Sequence, residues 1–128
     1  MLLVNREMFT RFVIACERGD IINVRANAVR VTQKDRMYGL FCACYYQKIE
    51  IVKFLLDYVE NIDISTFELA IELAEHNLPD VLQLLFNSGK LDDTMVNNAT
   101  DFKENAMSLL DEYKFRLDGK IYNENILT

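Results

Sequence analysis

Apolar residues recur along this chain at intervals of three and four, the period of a helix with one buried face. Phe9, Phe12, Val13 and Cys16 form the first stripe. Gly19-Asp20 interrupts it, and Asp20 is placed to cap a short second helix with Ile21, Val24 and Ala28 inward. Thr32-Gln33-Lys34-Asp35 has the form of a capping box, and Met37, Leu40, Phe41 and Cys44 give the next stripe. After a turn at Gln47-Lys48, the spacing predicts a helix from Ile49 to Val59 that buries Ile49, Val52, Leu55 and Leu56. Ser65-Thr66-Phe67-Glu68 is a second capping-box pattern, and Phe67, Ala70, Leu73 and Ala74 line its helix to about His76-Asn77. Pro79 suits the first turn of the following helix, where its missing N–H costs nothing. Val81, Leu82, Leu84 and Leu85 fill that helix, and Gly89 is placed to close it in a left-handed cap. A short helix is expected from about Asp93 to Asn98. A longer one follows from about Asp101 to Leu117, with Phe102, Ala106, Leu109, Leu110 and Tyr113 inward. No stretch competes as a strand except Val59 to Ile64, which reads equally as an extended connection.

The stripes repeat one another. Aligned without a gap, residues 10–24 and 38–52 place Phe12 on Leu40, Ala15 on Ala43, Cys16 on Cys44 and Val24 on Val52. A third copy puts Ala70, Leu73, Ala74, Asn77 and Leu82 on the same positions. Small residues on the first helix of each unit let the next pair approach, and a branched residue on the second fills the space beneath. One pair cannot bury its own stripes, so stacking is required to make a continuous core.

On these residues the chain resembles the ankyrin-repeat family. Ile49-Glu50-Ile51-Val52-Lys53-Phe54-Leu55-Leu56 matches that family's second-helix motif, and Ala15-Cys16-Glu17-Arg18-Gly19-Asp20 its first-helix end and tight turn. Thr10 falls on the motif's threonine, and the likeness covers about Thr10 to Gly89. Several features depart from the pattern. No unit holds the Thr-Pro-Leu-His signature, and Tyr38 and Glu68 replace the threonine in units two and three. Gln47 and Asn77 stand where the family has glycine, and the units are shorter than the family's roughly 33 residues. The fold implied is all-α: a short stack of antiparallel helix pairs, an ankyrin-like solenoid with shortened or missing β-hairpins. Its expected extent is one domain over residues 1–118, with units at about 5–30, 32–60, 65–89 and 92–118. Residues 119–128 are read as a C-terminal tail. A compact non-repeat helical bundle, of the kind found among viral regulatory proteins, is the competing architecture.

Composition narrows the function more than the fold. Of 128 residues 51% are apolar, enough for one core. Twenty Asp plus Glu against 14 Lys plus Arg leave a formal net charge of -6, which disfavours a nucleic-acid partner because phosphate binding needs a positive footprint. Charged residues interrupt every apolar run well short of the roughly 18 residues a membrane span requires. Met1-Leu2-Leu3-Val4 is followed at once by Asn5, Arg6 and Glu7, so no signal-peptide core is read there. Three cysteines in apolar surroundings suit buried thiols in a reducing compartment, and a cytoplasmic location is expected. One Pro, no Trp and many Asn and Ile suggest an AT-rich genome, as in some large viruses or intracellular parasites. For a viral protein the location would be the host cytoplasm.

Candidates for chemistry are few, and no catalytic role, metal or cofactor is expected. His76 is the single histidine, and its place at a helix end suits bonding to the last carbonyls. Cys42 and Cys44 are two apart on a helix, so their side chains diverge and cannot share an ion. Asp92-Asp93 sits at a helix start, where negative charge is favoured, and Asp111-Glu112 diverge as helix neighbours. There is no glycine-rich phosphate loop.

Binding another protein is the function these residues favour. Tyr45 and Tyr46 end the first helix of the second unit, beyond its small packing positions. In an ankyrin-like stack that stretch looks onto the groove where the family binds proteins, and tyrosine offers a rigid ring and a hydroxyl there. The alternative is that one ring packs beneath the neighbouring unit. Glu17 and Arg18, with Glu75 and His76, fall at matching sites in the flanking units. A second class of function is self-association as a structural or regulatory bundle, forming a homodimer through an open apolar end. Met8, Phe9 and Phe12 mark the front end, and Phe115, Leu117, Ile121 and Tyr122 the back.

Overall fold

A computed structural model describes residues 2–98 of the chain. They form seven helices: α1 (Leu2–Arg18), α2 (Ile21–Ala28), α3 (Gln33–Tyr45), α4 (Ile49–Leu56), α5 (Ile64–Glu75), α6 (Asp80–Ser88) and α7 (Asp93–Asn98). No strand occurs among the described residues. The expected helix over 101–117, the fourth unit beyond Asn98 and the tail lie outside them.

Three helix pairs stack side by side. α1 packs on α2, α3 on α4 and α5 on α6, while α1, α3 and α5 adjoin in one row and α2, α4 and α6 in a second. Between the rows runs one continuous core, from Phe12 and Val24 through Leu40, Val52 and Leu55 to Phe67, Leu82 and Leu85. Small residues permit the close approach within the first row. Ala15, Cys16, Ala43, Cys44, Ala70 and Ala74 are all buried. The tightest point is Gly39, which the repeat pattern did not single out. A Cβ there would stand 2.4 Å from Phe12 Cε1 and 3.0 Å from Cys16 Sγ, so any larger residue would push α1 from α3.

The three tight turns share one geometry, and it carries the repeat. Gly19, Gln47 and Asn77 are all left-handed, with φ of 79°, 56° and 67°. The next amide in each case reaches back to the helix: Asp20 N to Ala15 O at 2.9 Å, Lys48 N to Ala43 O at 2.8 Å, and Leu78 N to Leu73 O at 2.9 Å. This is the six-to-one bond of a Schellman cap. Its recurrence at Ala15, Ala43 and Leu73 puts the sequence alignment on identical backbone atoms. The expected left-handed cap at Gly89 is also present, with φ 73°.

Between pairs the chain turns without a β-ladder. Arg36 donates to Ala28 O at 2.8 Å and Val31 O at 2.7 Å, satisfying carbonyls at the end of α2. The equivalent Leu56 carbonyl of α4 accepts from Lys90 Nζ, and Ile62 N donates to Lys90 O at 3.1 Å. Val59 to Asp63 is therefore a connection, with Val59 and Ile62 buried in it, and Ile64 already opens α5.

Two helix boundaries differ from those the spacing predicts. Thr32 and Asp35 form the capping box as expected, but Ser65 does not cap α5. Asp63 does, accepting from Thr66 N at 2.9 Å, and Ser65 falls inside the first turn. A carboxylate two residues upstream outcompetes the serine hydroxyl for the same free amides. α4 stops at Leu56, not Val59, where the chain tightens: Asp57 N and Tyr58 N donate three residues back, to Phe54 O at 3.2 Å and Leu55 O at 2.9 Å.

The turn geometry is testable at Gln47, an exposed non-glycine residue held in a left-handed conformation. That conformation costs an L-residue about 1–2 kcal/mol, partly offset on substitution by the backbone entropy glycine brings. Gln47→Gly is expected to raise stability by about 0.5–1 kcal/mol in urea unfolding. A loss of stability would show that residue 47 does not occupy the turn position.

Candidate functional site

Because the first-row helices are parallel neighbours, their C-terminal ends lie along one edge of the stack. Glu17, Tyr45 and Glu75 occupy the last helical turn there, and Arg18, Tyr46 and His76 the positions immediately after them. The structure thus brings all six sequence-derived candidates onto the tight-turn edge. Tyr45 and Tyr46 are 58% and 50% exposed, so neither ring packs beneath a neighbouring unit. Their rings meet edge to face, with centroids 5.0 Å apart and planes at 74°, an attractive arrangement that limits the motion of both. Arg18 and His76 are exposed, while Glu17 and Glu75 are half-buried. His76 Nδ1 lies 3.0 Å from the Glu72 carbonyl oxygen, the helix-end contact expected of it.

One member of the surface was not anticipated. Tyr38 is 50% exposed on α3, two turns before Tyr45 and Tyr46, and its ring centroid is 5.7 Å from that of Phe9 on α1. The signal was present in the sequence: Tyr38, Cys42, Tyr45 and Tyr46 stand at i, i+4, i+7 and i+8, a single helical face. The Cys42 thiol, followed by partial desolvation, raises the Tyr38 phenol above its ordinary value, with smaller contributions from Glu17 and Tyr46. Burial and then the Glu17 carboxylate push Cys42 up in turn. Glu17, on the neighbouring helix α1, contributes to both shifts.

The three cysteines form no disulfide. All are free and buried, and burial is the main cause that lifts Cys16 and Cys44 to about 12. Among the described residues no group of three or more His, Cys, Asp or Glu side chains could hold a metal ion, and no helix is long and apolar enough to cross a membrane. On the second row, a shallow depression of about 200 Å³ opens between α4 and α6, lined by Lys53, Asp57, Leu84 and Lys90 among others.

No family model, no curated protein and no solved structure matches this chain. The described residues are all-helical and display tyrosines along one row of helices.

The thiols give a pH test. A thiol raised from 9.0 to about 12 favours the folded state while protonated, so its contribution is complete below pH 9 and is lost as pH rises toward 12. The urea midpoint is expected to fall across that window, and to fall less steeply in a Cys16→Ala/Cys44→Ala variant. Thiol labelling at neutral pH should favour Cys42, the least shifted of the three, and reach Cys16 and Cys44 only on unfolding. Equal slopes, or rapid labelling of Cys44 in the folded protein, would contradict this account.

Proposed function

We propose that this protein is a non-catalytic interaction module of the ankyrin-repeat kind, built from degenerate repeats, that binds another protein through its first-row helices. The observation that carries this reading is the exposed, mutually braced pair Tyr45 and Tyr46, joined by Tyr38 on the same face of α3. Exposed large aromatics cost a soluble domain solubility, and interface energy concentrates in such residues. The reading assigns the protein no reaction and no cofactor. Its three free, buried thiols accord with a cytoplasmic setting, the host's if the protein is viral.

Partner proteins recovered by affinity capture from the native cell can be purified and titrated against variants. Tyr45→Ala/Tyr46→Ala is expected to weaken binding by roughly 2 kcal/mol or more. Both rings are at least half exposed, so their removal should cost less than about 1 kcal/mol of stability. Glu60→Ala, exposed in the connection after α4, should change neither property. Unchanged affinity in the tyrosine variant would rule out this face.

A second reading, self-association, has its own observation. Ile22 on α2 and Val29, its C-cap residue, are 78% and 67% exposed, with Ala26 exposed between them at helical spacing. Phe12, by contrast, is fully buried against Gly39 and cannot serve as a contact at that end. Sedimentation across a concentration series would show a dimer that Ile22→Glu abolishes. A monomer at all concentrations would remove this alternative.

A further inference from the structure

The first-row face changes chemistry from helix to helix. Carried through the repeat, the positions of Thr10, Ile14, Glu17 and Arg18 on α1 become Tyr38, Cys42, Tyr45 and Tyr46 on α3, and Glu68, Glu72, Glu75 and His76 on α5. Since α3 and α5 pack side by side, a column of exposed tyrosines stands beside a column of carboxylates. Glu68 and Glu72 are exposed, and Glu17 approaches the tyrosines from α1 on the other side.

The charge on the second row is mixed. Arg25, Arg30 and Lys53 alternate there with Glu50, Asp57 and Asp80, and the Arg25 guanidinium is already stacked over Phe54 at 5.6 Å. On the first row Arg11 and Arg18 lie on α1, and Lys34 and Arg36 in the first turn of α3, where Arg36 is committed to the Ala28 and Val31 carbonyls. From Tyr38 to the end of α3, and along the whole of α5, there is no Lys or Arg, so that part of the face is aromatic and negative. An aromatic ring attracts a cation to its face, and carboxylates pair with it at the edge. Guanidinium serves both, because its plane stacks while its edge donates hydrogen bonds.

We propose that the occupant of the first-row face is a basic segment of the partner protein, carrying arginine, whose guanidinium groups lie along the column of Tyr38, Tyr45 and Tyr46 and pair with Glu68 and Glu72 on the helix beside it. This rests on the interaction reading above and narrows it to a partner chemistry. The segment's cationic residues belong over α3 and α5, and its neutral or acidic flank toward Arg18.

The test uses the full chain and one fluorescein-labelled peptide sequence, synthesised with arginine, glutamine or glutamate at the same positions, and reads binding by anisotropy. The arginine peptide is expected to bind at least about tenfold more tightly than the glutamine form, and the glutamate form least. Glu68→Gln/Glu72→Gln should lose about tenfold in affinity for the arginine peptide. Glu50→Gln/Asp57→Asn removes the same charge from the second row and should lose less than about twofold. Circular dichroism on each variant confirms that the helices persist. Equal losses in the two carboxylate variants would mean that net charge alone attracts the peptide, and would overturn the proposal. Failure of arginine to be preferred also overturns it. If Tyr45→Ala/Tyr46→Ala still weakens the natural partner in that case, the face binds a protein of other chemistry and the interaction reading stands. If it does not, both fail.

Discussion

At the end of each first-row helix the chain enters a left-handed residue, and the following amide returns to the carbonyl of Ala15, Ala43 or Leu73. That bond reverses the chain within a few residues and sets the second helix antiparallel against the first. The rest of the stack follows from its repetition. With the reversal fixed, each pair presents two buried stripes in a constant relation, and the next pair can dock only where small residues leave room. Gly39 against Phe12 marks how close that docking is. Leucine at position 73, where the earlier pairs have alanine, is tolerated because it is only partly buried on the third helix of the row.

Connections between pairs solve a different problem. A helix that ends in the stack leaves carbonyls without partners, and burying them unpaired would cost about 1–3 kcal/mol each. Here long cationic side chains answer them, Arg36 on Ala28 and Val31, and Lys90 on Leu56. Because those carbonyls are already satisfied, the connections between these pairs have no need of a hairpin ladder and remain short. The exposed tyrosines stand on the face along which α1, α3 and α5 lie side by side.

The candidate surface shows how a repeat separates structure from function. Positions facing between the rows keep their size and polarity through the units, as Cys16, Cys44 and Ala74 do. Positions facing outward do not: the place of Thr10 is taken by Tyr38 and then Glu68, and that of Arg18 by Tyr46 and then His76. Packing holds the inward set constant, whereas the outward set is constrained only by solubility and by whatever binds there. A change of chemistry across an otherwise regular row is consequently where a partner's imprint is expected.

Much of the architecture was legible in the residues. Helical periodicity, the cap at Thr32, the short helix from Asp93 to Asn98 and the alignment of units were all local or periodic signals, and these survive into the folded state because backbone hydrogen bonding reads them directly. The grouping of Glu17, Arg18, Tyr45, Tyr46, Glu75 and His76 on one edge also followed from the repeat, since equivalent positions must share a face. Other features belonged to the tertiary structure alone. Whether Asp63 or Ser65 capped α5 was a competition between two adequate caps, and where α4 stopped depended on how residues 57–59 met the next connection. That Gly39 lies against Phe12, that Arg36 and Lys90 close the ends of the second-row helices, and that Tyr38 meets Phe9 required knowing which helices are neighbours. Sequence spacing specifies which side of a helix is buried; only packing specifies what stands opposite the side left exposed.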